Sequence, residues 1–109
     1  MRFMVSGHGG PSSPVTEDMI DLLEFSVLPG FEALAKLEAE NRIAGGGVPI
    51  SERSVVFIIE AESNEALDQT LRSLPFWPVL DWQVTPLVSF EGRAFHERKI
   101  LQQLKRGQG

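Results

Sequence analysis

His8 is the side chain best suited to moving a proton near neutral pH. It stands in the run Gly7-His8-Gly9-Gly10, where an imidazole at a pocket mouth acts as acid or base. The same residue also reads as an exposed loop histidine. Two carboxylates join it as candidate catalytic groups. Glu60 follows the apolar run Val55 to Ile59, and a carboxylate at the end of a buried strand has a raised pKa and serves as a base, whereas a solvated strand end leaves it ordinary. Glu24 borders an apolar helical stripe and points either into a helix-to-sheet cavity or into solvent. Asp81 either braces a turn or joins the chemistry. Arg42 offers a bidentate fork for a substrate carboxylate, or caps a helix C-terminus. Trp77 and Trp82 can wall an apolar pocket or pack a core.

Other chemistries are excluded by composition. The chain has no Cys and no Tyr, so a thiol nucleophile, a disulfide scaffold, a Cys-ligated zinc site and a phenolic acid are all ruled out, and with two His a histidine-rich metal site is not expected. The glycines around His8 are followed by neither a P-loop lysine nor a dinucleotide fingerprint, and read instead as a mobile lid. The longest apolar run, Val55 to Ile59, is far short of the roughly 20 residues a membrane span needs. Met1 to Ser6 is too short in its apolar part for a signal peptide, so the expectation is a cytoplasmic protein with no membrane partner.

The net charge of -5 hides a division. Residues 1–92 carry five basic and fourteen acidic side chains; residues 93–109 carry five basic and one acidic. The acidic body repels nucleic acid, so no nucleic-acid partner is expected, and the basic tail suits an acidic surface of a second subunit.

At 109 residues the chain is one domain. Residues 2–6 read as a strand, ended by the loop Gly7 to Pro14. Thr16, followed by Glu17 and Asp18, is a candidate N-cap for a helix with the stripe Ile20, Leu23, Val27, Phe31, Leu34 and Ala35; the stripe keeps phase across Pro29-Gly30, which argues for one kinked helix or two abutting pieces ending near Asn41. Ile43 to Ile50 reads as an edge strand, because its glycines weaken it and Pro49 cannot donate to a ladder. Ser54 to Ala61 is apolar on both faces and therefore central. Ser63 caps a second helix with Ala66, Leu67, Leu71 and Leu74 inward, stopped by Pro75. Asp81 to Phe90 alternates as a long strand, and Arg93 to Arg106 forms a thinly apolar terminal helix.

Strand, helix, strand, strand, helix, strand is the order of two split βαβ units: an α+β, ferredoxin-like βαββαβ sandwich with a C-terminal helix. Four antiparallel strands would carry both helices on one face. The other face, with Val and Ile exposed, would then pack on a second copy. Residues 1–92 form this domain, and residues 93–109 are a basic helix or tail in oligomer contacts. Gln83, on the side of its strand away from Trp82, falls in a barrel interior or at the dimer interface and is a candidate substrate contact.

Three stretches, Glu62-Ser63-Asn64-Glu65-Ala66-Leu67, Leu74-Pro75-Phe76-Trp77-Pro78 and Asp81-Trp82-Gln83-Val84-Thr85-Pro86-Leu87, resemble the muconolactone delta-isomerase family, with Arg42-Ile43-Ala44-Gly45 a weaker echo of its second strand. The resemblance implies a dimeric α/β barrel, dimers or larger rings, and a pocket for a small lactone or comparable carboxylate. The implied reaction is a 1,3 proton transfer shifting a C=C bond, without metal or organic cofactor. It needs a base near the acidic C–H, donors to a dienolate oxygen and a cation for the carboxylate. Met4 and Ser6 stand where the family's isomerases carry polar side chains on the first strand. This leaves two further readings open: a non-catalytic small-molecule-binding or accessory domain, and a cofactor-free oxygenase on the same barrel.

Overall fold

The computed structural model describes residues 1–9 and 16–108. The lid read into residues 10–14 lies outside them, as do the side chains of Thr16, Glu17 and Asp18. Four strands, β1 (Arg2–Gly9), β2 (Ile43–Gly47), β3 (Ser54–Glu60) and β4 (Leu80–Leu87), form one antiparallel sheet in the order β2-β3-β1-β4. The helices are α1 (Thr16–Leu22), α2 (Leu28–Ala39), α3 (Asn64–Arg72) and α4 (Phe90–Gln108). This is the expected βαββαβ sandwich with a C-terminal helix, the protomer architecture of the dimeric α/β barrels.

Strand parity sets the two faces. Phe3, Val5, Val55, Phe57 and Ile59 are buried on the helix side, together with Leu67, Leu71, Leu74 and Phe76. The opposite face carries Arg2, Met4, Ser6 and His8 from β1 in register with Glu60, Ile58, Val56 and Ser54 from β3 and with Leu87, Thr85, Gln83 and Asp81 from β4. No helix covers that face, and Met4 and Val56 stay exposed on it. As expected, β3 is central and β2 lies at an edge.

Three boundaries differ from the sequence reading, and at a fourth place the structure decides between the two readings it allowed. First, β1 runs on to Gly9, so His8 is a strand residue and not a loop residue: Gly7 and His8 remain paired with β3 and β4. Second, β2 stops at Gly47 instead of Ile50. Its register shifts between Ile43 and Gly45, and Gly46 takes φ 145°, where an added Cβ would collide with the Val56 and Phe57 backbone.

Third, of the one helix and the two abutting pieces that the sequence allows, the single helix is present: it runs on through Pro29 after a π turn, Leu23–Val27, in which the Leu28 N–H reaches back five residues to the Leu23 carbonyl. The inserted residue re-phases the helix before the proline, which has no N–H to give. It also turns the expected stripe, leaving Ile20 and Leu23 exposed while Ala33, Leu34 and Leu37 pack on the core. The helix ends where expected. Asn41 adopts φ 61°, its N–H reaches the Glu38 carbonyl, and the Arg42 N–H reaches Leu37, a Schellman closure.

Fourth, β4 ends at Leu87 and α4 begins at Phe90, not Arg93. Ser89 caps α4, its hydroxyl accepting from the Gly92 N–H at 2.9 Å. The Ser63 cap on α3 is present as read, accepting from the Ala66 N–H at 3.1 Å.

Candidate active-site cleft

The α1–π–α2 segment does not close fully onto the sheet. Between them, at the end where β1 leaves and β3 enters, lies a cleft of about 490 Å³. Its walls are Leu22, Val27, Phe31, Val48, Phe76 and Leu80, with Val79 at the rim. An adjoining hollow of about 210 Å³ continues it toward β2 and shares Phe31, Val48 and Val55 with it. An apolar cleft of this size with a few polar groups is the usual form of a small-molecule site.

Phe76 shapes this cleft. It packs edge-on against Phe31 at 5.7 Å and against Trp82 at 5.9 Å, and is fully buried. Gly30 lets the helix come down onto it: a Cβ there would sit 2.5 Å from the Phe76 ring. Trp77 and Trp82 stack on each other at 5.4 Å, and the Trp82 indole N–H donates to the Trp77 carbonyl at 3.0 Å. Both tryptophans are committed to packing behind Phe76 and neither is a wall of the cleft.

The polar wall comes from the turn before β3: Glu52, Arg53 and Ser54 all line the cleft. The turn is fixed by the Glu52 N–H to the Pro49 carbonyl at 3.2 Å and by the Gly9 N–H to the Arg53 carbonyl, with Ser51 at φ 66°. Ser54 is the one buried polar residue among the described residues, on the strand face away from the core. Its hydroxyl lies 2.8 Å from Nδ1 of His8, its partner on β1, and can donate to Glu52 Oε2 at 3.4 Å. The hydroxyl can donate to Glu52 while accepting from an N–H on Nδ1, so the Nδ1–H tautomer of His8 satisfies both contacts at once. Asp81 stands opposite His8 on β4.

The other candidates are distributed elsewhere. Glu60 is at the far end of the sheet, bound to Arg2 Nε at 2.6 Å and 3.8 Å from the terminal ammonium. Arg42 is at that end too, donating to Thr70 Oγ1 at 3.1 Å and lining a separate hollow of about 410 Å³ with Met1, Glu60 and Ala66. Glu24 is exposed on the π turn, and Gln83 is exposed on the uncovered sheet face between Ser6 and its neighbours. Of the candidate side chains, His8 is the one hydrogen-bonded to a residue that lines the large cleft. Glu52, Arg53 and Ser54 were not legible as a site, since Ser51-Glu52-Arg53 reads as a plain turn. The one available signal was parity, which puts Ser54 on the same strand face as Glu60. Among the described residues no three His, Asp or Glu side chains converge as a metal site requires.

The chain is thus a ferredoxin-like α+β sandwich with an apolar cleft between its helices and its sheet. More narrowly, residues 32–92 match the family described as Muconolactone delta-isomerase, and the chain belongs to that family. Its fold is similar to the crystal structure of muconolactone isomerase, with TM-score 0.66 and 22% identity over 82% of this chain and 90% of that one. It is also similar to 5-chloro-2-hydroxyhydroquinone dehydrochlorinase from Burkholderia phenoliruptrix AC1100 in complex with 2,5-dihydroxybenzoquinone, with TM-score 0.60 and 20% identity over 84% and 98% of the two chains. No curated protein sequence matches the chain.

Proposed function

We propose that the protein acts on a small lactone or comparable carboxylate by proton transfer within the substrate, shifting a C=C bond. The apolar walls at Val27, Phe31 and Phe76 take the carbon skeleton. Arg53 holds the carboxylate through its fork. Glu52 removes a proton from the carbon beside the carbonyl and returns it two carbons away, so no electron leaves the substrate and no redox or organic cofactor is consumed. Arg53 also donates to the dienolate oxygen that develops between the two transfers, while Ser54, bonded to His8 on the uncovered face of the sheet, holds Glu52 at the cleft rim.

The placement of Glu52 and Arg53 on one apolar cleft, with the His8–Ser54 pair holding Glu52 at its rim, carries this reading. Family membership and the two structural neighbours support a small-molecule role of this kind. The test is direct: muconolactone mixed with the protein should show a time-dependent ultraviolet change that Glu52→Gln suppresses. An unchanged spectrum at high protein concentration would eliminate the isomerase activity. A non-catalytic binding domain is the second reading, favoured by the commitment of Trp77, Trp82 and Glu60 to packing and ion pairing. It predicts saturable binding of the same lactone with no spectral change.

The protein acts as a homodimer in this proposal. Met4, Val56, Ile58 and Leu87 form an apolar band on the uncovered sheet face that a second copy would bury. Sedimentation as a monomer at micromolar concentration would exclude it.

A further inference from the structure

The terminal helix α4 is 19 residues long, and no residue of it is buried. It extends from a molecule measuring 72 Å along one axis against 27 and 23 Å along the others. A helix in a protein draws most of its stability from packing of an apolar face against other elements. Here Leu101 and Leu104 are 51% and 63% exposed, and Phe95 is 56% exposed. A basic helix that carries exposed Phe95, Leu101 and Leu104 and buries none of its residues in its own chain calls for an external surface.

The α1–π–α2 segment has the complementary character. From Thr16 to Ala35 it contains five acidic residues and no basic one, and Asp21, Glu24 and Glu32 are exposed. Beside them Phe25 and Leu28 are 67% and 57% exposed, far more than residues packed on the sheet. The π turn produces this, since it swings Phe25 outward while Val27 stays on the cleft. Against this surface α4 offers Arg93, Arg98, Lys99, Lys105 and Arg106 with only Glu91 and Glu97 opposed.

We propose that α4 of one copy docks in trans on the α1–π–α2 segment of a second copy, apolar residues meeting Phe25 and Leu28, and Arg98, Lys99 and Lys105 meeting Asp21, Glu24 and Glu32. Leu22 and Val27 of the same segment form the cleft wall, so the docked helix braces that wall from outside. The surface is independent of the uncovered sheet face, and the proposal does not depend on which reaction the cleft performs.

The absence of cysteine makes the test clean. Two single variants at exposed positions, Phe25→Cys and Leu101→Cys, carrying different mass tags, are mixed and oxidised at micromolar concentration. The expected dominant product is the mixed Phe25–Leu101 disulfide dimer. Any pattern lacking it, whether Leu101 self-linking through paired α4 helices or no linking, overturns the proposal. Light scattering gives a second readout on the otherwise natural chain. Reversing Arg98, Lys99 and Lys105 to Glu should weaken assembly at least roughly tenfold at low salt, and mixing with a chain in which Asp21, Glu24 and Glu32 are reversed to Lys should restore it. Assembly unchanged by the first reversal contradicts the docking.

Discussion

The two ends of the central strand pair β1/β3 hold similar side chains in opposite circumstances. At one end Arg2 and Glu60 face each other at 2.6 Å, and the terminal ammonium adds a second contact. These charges satisfy one another, half-exposed, and leave little for a ligand. At the other end His8 and Ser54 share a 2.8 Å hydrogen bond beside Glu52 and Arg53, which have no ion-pair partner among the described residues and border an apolar cleft of about 490 Å³. The difference teaches that a charge near the end of a buried strand is informative only once its neighbours are known. Glu60 is the better candidate by strand parity, yet Glu52 has the free carboxylate and the cavity.

This contrast can be broken by mutation, and the largest effect is expected at the cleft end. With muconolactone as substrate, Glu52→Gln or His8→Ala should lower turnover roughly 10²- to 10⁴-fold while leaving the melting temperature nearly unchanged. A comparable loss from Glu60→Gln would erase the distinction between the ends. Next comes the scaffold beneath the cleft. Phe76→Ala removes the ring that contacts both Phe31 and Trp82, and should cost about 3–5 kcal/mol in denaturant unfolding. Gly30→Ala tests the same contact from the helix side. Its new methyl must push α2 away from Phe76, for a cost of about 1–3 kcal/mol and a widened cleft. The smallest effect belongs to the satisfied end: Arg2→Ala should change stability by less than about 1 kcal/mol, because its pair is half-exposed and screened.

Much of the architecture was readable because it rests on local chemistry. Ser63 announces α3 through its hydroxyl, two-sided hydrophobicity makes β3 central, and Pro49 with its preceding glycines keeps β2 at an edge. Errors arose where one local signal masked another. Ser89 continues the alternation of β4 and so reads as strand, although its hydroxyl caps α4. At Pro29 the in-phase stripe shows that the helix continues, but the π turn before it, which lets it do so and turns the stripe, has no sequence signal. Gly7 and Gly9 read as loop because glycine usually marks one. Here they let β1 pass close beneath Trp82, Leu80 and Arg53, within 3.4 Å of where their side chains would be.

The site was less legible than the fold for a physical reason. His8 and Ser54 meet across 46 positions of sequence through strand register, and the cleft exists only because the π turn and Gly30 set the height of the helix above the sheet. Neither quantity is encoded in a short motif. Arg42 illustrates the converse. Its place at the end of α2 is evident from the sequence, while the structure gives its guanidinium to Thr70, on the side away from the large cleft.

Amide chemical-shift mapping during titration with muconolactone tests most directly which end is used. Saturable shifts concentrated at Gly9, Val27, Phe31, Ser54 and Leu80 are the predicted result. Shifts concentrated instead at Met1, Arg42, Ala61 and Ala66 would place the ligand at the ion-paired end and contradict the assignment of the cleft.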